Sequence, residues 1–457
     1  MMKLAFPVRS PRTSGLSWVG ILRLGLVQAS LASIIVLTTS TLNRVLVVEV
    51  MLAAVIPGFL VAFHYAIQIG RPLWGHAADV GGNRTRWIIG GIALLGLAGA
   101  LASTTPILFG LNFWLGLAVG MIAYALIGFG IGASGTSLLA LLASRTIPER
   151  RAGAATTVWI MMIIGIIITS IASGAALDPY SHAQLVIVTA IAGVISLSLA
   201  TLAVSGIERR YAPVRQQPER TDIQFREAFD EVWRDPHARL FTIFVFVSML
   251  SYATQDLILE PFGGMLFEMT PGETTALNGI QHNGVLAGML LVGISGTVFS
   301  RWKGALLKGF TIFGCIGSGA ALAALAFASS IAPHWPLQAN VMLLGFMNGM
   351  FAVAAIGTMM TLASTGTKSR EGIRMGLWGA AQAIAFGLGN FFGTVIMDVV
   401  RWATGDIPLA FATVFTVEAV LFLTSALLAT RIQYVVHTKR AANERSVADP
   451  FQVQPAE

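Results

Sequence analysis

The chain has 457 residues, of which 55% are hydrophobic and only 11% are charged. Soluble globular domains carry about 25% charged residues, so this composition excludes an ordinary soluble protein and favours a polytopic membrane protein. The net charge of +7 does not indicate nucleic-acid binding, because the basic residues lie in loops between apolar runs. The single cysteine, Cys315, excludes an intrachain disulfide and indicates no metal cluster.

Twelve apolar runs, separated by breakers such as Thr105-Pro106 and Asp178-Pro179, predict twelve transmembrane helices. The first run is long and no small-residue cleavage site follows it, so we expect a retained helix rather than a signal peptide. The predicted domains are a cytoplasmic N-terminus (1–19), a six-helix bundle (20–207), a cytoplasmic linker (208–238), a second six-helix bundle (239–430) and a cytoplasmic tail (431–457). The predicted helices span residues 20–42, 50–70, 87–104, 113–142, 153–174, 184–206, 239–260, 274–298, 304–329, 339–364, 374–397 and 408–430.

The distribution of basic residues predicts the orientation of these helices. With both termini on the same side, every lysine and arginine except Arg44 and Arg401 falls in a segment on that side. Cytoplasmic loops of membrane proteins are enriched in lysine and arginine. The sequence therefore predicts that both termini are cytoplasmic.

The loop between the second and third predicted helices carries a spaced pattern of glycines and charges. Its residues are Gly75, Asp79, Gly82, Arg84 and Arg86. Glycines allow the backbone to turn tightly between two helix ends. The acid and the arginines can then pair with each other or with helix ends. We interpret this loop as a latch on the cytoplasmic face.

Polar and ionisable residues at membrane depth are costly, so each is a functional candidate. Asp256 and Glu260 are four residues apart and share one helix face. They are interpreted either as a proton or cation site and partner for Arg44, or as a hydrogen-bonded pair that joins the halves. Asn43, Arg44 and Glu49 flank the outer end of the first helix. There an arginine–carboxylate contact serves either as part of a dry gate or as an ordinary loop salt bridge.

The six-plus-six division, the latch and a basic loop at residues 147–151 resemble the major facilitator superfamily. The resemblance covers about residues 15–432. It implies an all-α membrane protein with the major facilitator fold, in which twelve helices form two related halves.

Longer segments are similar to a narrower group, the PucC/LhaA family. These segments are residues 40–49, 64–68, 255–264 and 377–382, together with Arg71-Pro72 leading into Gly75-His76. The resemblance implies an assembly factor for light-harvesting antenna complexes in the intracytoplasmic photosynthetic membrane, with bacteriochlorophyll as the proposed cofactor. The partners that it implies are antenna polypeptides, the reaction-centre–antenna complex or pigment-synthesis enzymes, and membrane lipids, but no nucleic acid.

Two histidines, His64 and His282, lie in equivalent helices of the predicted halves. Under the resemblance, one hypothesis is that their imidazoles bind the magnesium of bacteriochlorophyll, because a chlorin leaves the axial positions of the metal open. The alternative is that both are hydrogen-bonded spacers. Closely spaced glycines such as Gly345 and Gly349 indicate packing inside the protein or contact with single-span antenna helices. Glu418, a further acid within an apolar run, allows the same two interpretations.

The predicted cavity between the halves lacks charge. The fourth, fifth, tenth and eleventh predicted helices carry no acid or base in their interiors, which favours an apolar ligand or a docking platform. Two hypotheses follow: an antenna assembly factor, or a proton-coupled secondary transporter of a lipophilic solute that uses Asp256 or Glu260. The sequence holds no phosphate-binding loop, zinc-ligand spacing or nucleophile elbow, so an enzyme is the least favoured class.

Overall fold

The part of the chain that the structure describes is helical, apart from one short strand pair, Thr13–Ser14 with Tyr211–Ala212. The computed structural model describes residues 13–70, 83–147, 150–212, 233–234, 236–298, 303–364 and 371–432. Its long helices are α1 (Trp18–Glu49), α2 (Val55–Gln68), α3 (Arg84–Ala102), α4 (Phe113–Arg145), α5 (Arg151–Ala176), α6 (His182–Val204), α7 (Pro236–Leu266), α8 (Pro271–Val298), α9 (Lys303–Ile331), α10 (Leu337–Ser364), α11 (Glu371–Thr404) and α12 (Ile407–Arg431).

The described helices confirm a multi-pass membrane protein. Ten of them are long and apolar enough to cross a membrane. The other two predicted helices, the second and the eighth, are α2 and α8. α2 is shorter than the ten, and α8 contains more polar residues. The exact number of spans and their orientation stay predictions. We call the end of the bundle where α1 ends and α2 begins the outer end, following the predicted orientation.

The helices pack in two matching sets. In the first half α1 packs on α5 and α6, α3 packs on α4 and α6, and α2 packs on α4. In the second half α7 packs on α11 and α12, α9 packs on α10 and α12, and α8 packs on α10. Adding six to each helix number in the first set gives the second set, as expected for a duplicated fold. The halves meet mainly through α2 with α11 and α5 with α8.

The α8–α10 contact shows why small residues recur in these helices. A Cβ atom added at Gly345 would lie 2.0 Å from the Gln281 carbonyl oxygen, and one at Gly349 would lie 2.1 Å from the Val285 oxygen. Only glycine permits such close approach of two helix backbones. Gly345 and Gly349 therefore pack inside the protein.

The outer third of α1 departs from regular α-helix. Two π-helical turns, Leu37–Thr41 and Val45–Glu49, flank Leu42–Arg44. Within the first of them, the hydroxyl of Thr38 donates to the carbonyl oxygens of Ile34 and Ile35, at 3.1 and 3.0 Å. Hydroxyls that compete for helix carbonyls loosen the regular ladder, and π-helical turns re-aim the residues that follow. The polar residues that follow this turn contact the second half.

Candidate functional site

The outer end of the bundle is closed by polar contacts from α1 to α7. Asn43 is buried, and its amide nitrogen donates to the carbonyl oxygen of Leu257 at 2.7 Å. A buried side-chain amide that bonds to a backbone carbonyl fixes the register of two helices. Asn43 therefore ties the irregular part of α1 to α7.

Arg44 lies beside this contact and is only 2% exposed. It forms a salt bridge with Glu49 and donates to the carbonyl oxygen of Met269 at 2.7 Å. Gly264 makes room for it, since a Cβ atom there would lie 2.9 Å from a guanidinium nitrogen. Arg44 thus combines both predicted interpretations: it pairs locally with Glu49, and it joins the two halves. Burial and the nearby Glu49 carboxylate raise the pKa of the Tyr180 hydroxyl in the adjoining outer loop.

Glu260 completes the cluster from the side of α7. It is buried and interacts with Arg44 and with the Asn278 side chain. Asn278 donates to the Ser40 hydroxyl at 3.1 Å, and the Thr41 and Thr275 hydroxyls are 3.1 Å apart. The predicted pairing of Arg44 with Glu260 is therefore an electrostatic contact across the halves rather than a hydrogen bond.

Two aspartates lie at helix N-termini across the interface, and sequence reasoning missed both. Asp398 on α11 accepts from the backbone nitrogens of Ala54 and Val55, at 3.1 and 2.7 Å. Asp178, after α5, accepts from the Thr270 hydroxyl at 3.1 Å, directly before α8. Since α5 corresponds to α11 and α8 to α2, the two contacts are related by the internal repeat. Each anion satisfies or approaches a helix N-terminus of the other half.

The prediction that the eleventh helix carries no interior acid is wrong. Its predicted end at residue 397 stopped one residue before Asp398, whereas α11 continues to Thr404. Hydropathy drops at Asp398, but the backbone turns only at Gly405, where φ is +70°. The sequence signal that could have corrected the helix end is Gly405, because no glycine or proline lies between Asp398 and Gly405 to end the helix earlier.

An aromatic layer lies across α2, α11, α7 and α10. The ring centroids of Tyr65 and Phe386 are 5.9 Å apart, those of Phe386 and Tyr252 are 5.9 Å apart, and those of Tyr252 and Phe351 are 6.4 Å apart. The first three rings are half-buried, whereas Phe351 is buried. Partly open rings from both halves form a surface on which a planar apolar ligand can stack.

Asp256 stands apart from the outer cluster. It is half-buried and lies within electrostatic range of Tyr252, one helical turn earlier on α7. Glu260, one turn later, is buried in the outer cluster. The pair predicted to share one face therefore meets two environments, an aromatic one and a charged one.

The two predicted pigment ligands differ in their surroundings. His64 is 1% exposed, its Nδ1 lies 2.5 Å from the Val61 carbonyl oxygen, and its ring packs near Tyr65 and Tyr124. His282 is half-buried, and its Nδ1 lies 3.0 Å from the Asn278 carbonyl oxygen. A ring that donates from Nδ1 to a carbonyl presents the Nε2 lone pair as a ligand. Exposure makes His282 the better placed of the two.

The predicted latch is described only in part. Gly75, Asp79 and Gly82 lie outside the described residues. Arg84 donates to the Ala140 carbonyl oxygen at 2.9 Å and to the Ser144 hydroxyl at 2.7 Å, which ties α3 to α4 within the first half.

The start of α3 is held by a residue that follows α6. Glu208 accepts from the backbone nitrogens of Arg84 and Thr85, at 3.2 and 3.0 Å. A carboxylate at a helix N-terminus satisfies unpaired donors there. Arg86 is exposed. Over residues 83–147 and 150–212, this region therefore braces the first half.

Within the residues that the structure describes, no group of three or more histidine, cysteine or acidic side chains could hold a metal ion. The candidate features are a closed polar outer end, an aromatic layer, and His282 on α8, whose Nδ1 is held by the Asn278 carbonyl oxygen.

Known proteins resemble this chain over most of its length. The model of the PUCC protein family matches residues 41–436. The "Bacteriochlorophyll synthase 44.5 kDa chain" of Rhodobacter capsulatus is 50% identical over 418 residues, covering 91% of this chain and 96% of that protein. Protein PucC of Cereibacter sphaeroides is 28% identical over 442 residues, covering 92% of this chain and 93% of that protein.

Solved structures share the fold. The crystal structure of a bacterial homolog to the human lysosomal transporter Spinster aligns with a TM-score of 0.67 at 14% identity, covering 90% of this chain and 96% of that chain. At this identity the likeness concerns the fold alone. It confirms the major facilitator fold predicted from the sequence.

Proposed function

The chain belongs to the PUCC protein family, and we propose that it is an assembly factor for bacterial light-harvesting antenna complexes in the photosynthetic membrane. In this proposal it binds bacteriochlorophyll and delivers it to nascent antenna polypeptides. The family and the names of the relatives support a photosynthesis-related role. The observation that carries the finer proposal is the half-buried aromatic layer shared by both halves, formed by Tyr65, Phe386 and Tyr252.

This surface suits a chlorin better than a charged solute. A macrocycle is planar and apolar, and offset stacking on aromatic rings is favourable. Magnesium prefers oxygen ligands, but a chlorin already supplies four nitrogens, so a single imidazole nitrogen is enough to complete the axial position. We propose His282 as that ligand, because its Nδ1 is held by the Asn278 carbonyl oxygen at 3.0 Å and the ring is partly exposed.

The pigment ligand can be tested by substitution. We expect His282→Ala to lower the bacteriochlorophyll that co-purifies with the protein at least twofold, since one axial ligand is lost. The measurement is the near-infrared absorption of the purified protein, normalised to protein content. His182→Ala is the matched control, because His182 lies at the outer start of α6, where its ring bonds to the Tyr180 hydroxyl at 2.8 Å. Equal pigment content in both variants and the parent would exclude His282.

The assembly role itself has a cellular test. Deleting the gene should deplete an antenna complex, and the purified protein should carry antenna polypeptides, reaction-centre–antenna components or pigment-synthesis enzymes. A colourless protein that binds no antenna polypeptide, together with normal antenna levels in the deletion strain, would refute the proposal.

We propose that the chain is not itself the catalyst, although one relative's name includes the word synthase. The described residues offer aromatic stacking surfaces and a histidine ring nitrogen, which suit the binding of a planar ligand. Incubation of the purified protein with pigment precursors should leave them unchanged. A second candidate function, proton-coupled transport of a lipophilic solute, is favoured by the buried Glu260 and the half-buried Asp256. Uptake into proteoliposomes under a pH gradient tests it.

A further inference from the structure

The contact between α7 and α12 brings buried acids together in the second half. The Ser251 hydroxyl donates to the Glu418 carbonyl oxygen at 2.8 Å. Further along α7, the ring of Phe262 lies 5.3 Å from that of Phe411 and 4.9 Å from that of Phe415. Residue numbers rise along α7 as they fall along α12, so the two helices run antiparallel.

Two fully buried polar side chains occupy this contact. Glu418 and Gln255 are both 0% exposed, and their side-chain oxygens and the Gln255 nitrogen have no hydrogen-bond partner among the described residues. Gln255 lies one turn beyond Ser251 on the same face of α7. A helical side chain leans toward the N-terminus of its helix, which brings the Glu418 carboxyl toward the level of Gln255.

A second carboxyl adjoins this pair. Asp256 follows Gln255, is half-buried beside the aromatic layer, and lies within electrostatic range of Glu418. Two ionised carboxylates within electrostatic range of each other at membrane depth would repel without compensation.

The helices that pack on α12 supply no cation at this depth within the described residues. α7 contributes Asp256, and α9 contributes the buried thiol of Cys315. Lys308 of α9 lies at the inner end, where it donates to the Thr430 and Ile432 carbonyl oxygens at 2.7 and 3.3 Å. Asp398 of α11 is already occupied at the start of α2.

We propose that Glu418, Asp256 and Gln255 form an intramembrane proton-binding site in which the two carboxyls hold one proton. Protonation turns Glu418 into a hydrogen-bond donor, for which the Gln255 amide oxygen is an available acceptor, and leaves one negative charge instead of two. Of the three side chains only that of Asp256 is partly exposed, so the proton enters and leaves the site through Asp256. Among the residues that the structure describes, no third ligand joins these two acids to favour a metal ion.

Infrared spectroscopy of the purified protein tests this site directly. A protonated carboxyl has a carbonyl stretch above that of a carboxylate, and the band shifts in D₂O. We expect the parent protein to show this band near neutral pH. The band should be lost in at least one of three proteins: the Glu418→Gln variant, the Asp256→Asn variant, or the variant that carries both substitutions. The control is Glu268→Gln, which removes an exposed acid at the outer turn and should leave the band unchanged.

Several outcomes would overturn the proposal. One such outcome is the absence of the band from the parent protein. Another is its persistence in the Glu418→Gln/Asp256→Asn double variant, because the band would then belong to another acid. Failure of Glu418→Gln to fold would do the same, because glutamine is the neutral isostere and its failure would indicate an ionised Glu418. Sodium that raises the melting temperature of the parent but not of Glu418→Gln, at constant ionic strength, would identify a metal-cation site instead.

Discussion

Arg44 carries a positive charge in a nearly sealed position between the two halves. At the level of the single residue, the burial of Arg44 has a larger effect on the stability of the protein than its salt bridge with Glu49. An exposed ion pair contributes at most about 1 kcal/mol, whereas removal of one partner from a buried set leaves an uncompensated charge. Here the uncompensated group would be Glu260, which faces Arg44 from α7.

We therefore expect Arg44→Met to destabilise the protein by roughly 3 kcal/mol, because methionine keeps the bulk but leaves Glu260 without its cation. The measurement is thermal unfolding in detergent. Arg401→Met is the matched control, since Arg401 is the other arginine predicted on the outer side and is only half-buried; its effect should stay within about 0.5 kcal/mol. Similar losses in both variants would contradict the role of Arg44 as an interface cation.

The sequence identified several residue types at this site but not their partners. Asn43, Arg44 and Glu260 were predictable because polar groups are rare in apolar runs. Asn43 and Arg44 contact the second half through the backbone carbonyls of Leu257 and Met269. Any residue supplies a carbonyl, so such partners leave no signal in a single sequence.

At the level of helices, the interface depends on where each helix begins and ends. α2 starts against Asp398 of the other half, and α8 starts beside Asp178. Hydropathy predicted all of the long helices approximately, because apolar runs are long and the breakers between them are clear. It could not predict these caps, because they form only when the two halves pack together.

Removal of the α2 cap should both destabilise the protein and loosen the outer end. We expect Asp398→Ala to cost about 1 kcal/mol, the usual contribution of a helix cap. It should also increase the rate at which a membrane-impermeant maleimide labels a cysteine placed at the buried Thr41, because the cap spans the halves. The native Cys315 is buried and should not interfere.

Asp406→Ala provides the matched control for this cap. Asp406 accepts from the backbone nitrogen of Leu409 at 2.9 Å, so it caps α12 from within its own half. It should lower stability by a similar amount without changing the labelling of position 41. Equal labelling rates in the two variants would show that Asp398 does not hold the outer end closed.

At the level of the whole molecule, the sequence predicted a duplicated fold from few matching residues. The packing shows the duplication directly, because the main helix contacts in the first half recur six helices later. The fold is that of transporters, yet the closed outer end joins the halves through side chains of α1, α8 and α11 and through backbone groups of α2 and α7. A transporter must open this end during its cycle, whereas an assembly factor need not, so the requirement for opening distinguishes the two functions.

A disulfide across the outer end tests that requirement. The Thr41 and Thr275 hydroxyls are 3.1 Å apart, so cysteines at these positions lie close enough to form a disulfide after small adjustments. A facilitator that transports must separate its halves on each side in turn, so a locked outer end abolishes transport. An assembly factor that loads pigment from the membrane or the inner side does not need this motion. We expect cells with the Thr41→Cys/Thr275→Cys protein to keep normal antenna absorption in the near infrared, as should each single-cysteine control. Loss of antenna in the double variant alone, reversed by a reductant, would instead show that the halves must separate at the outer end and would favour transport.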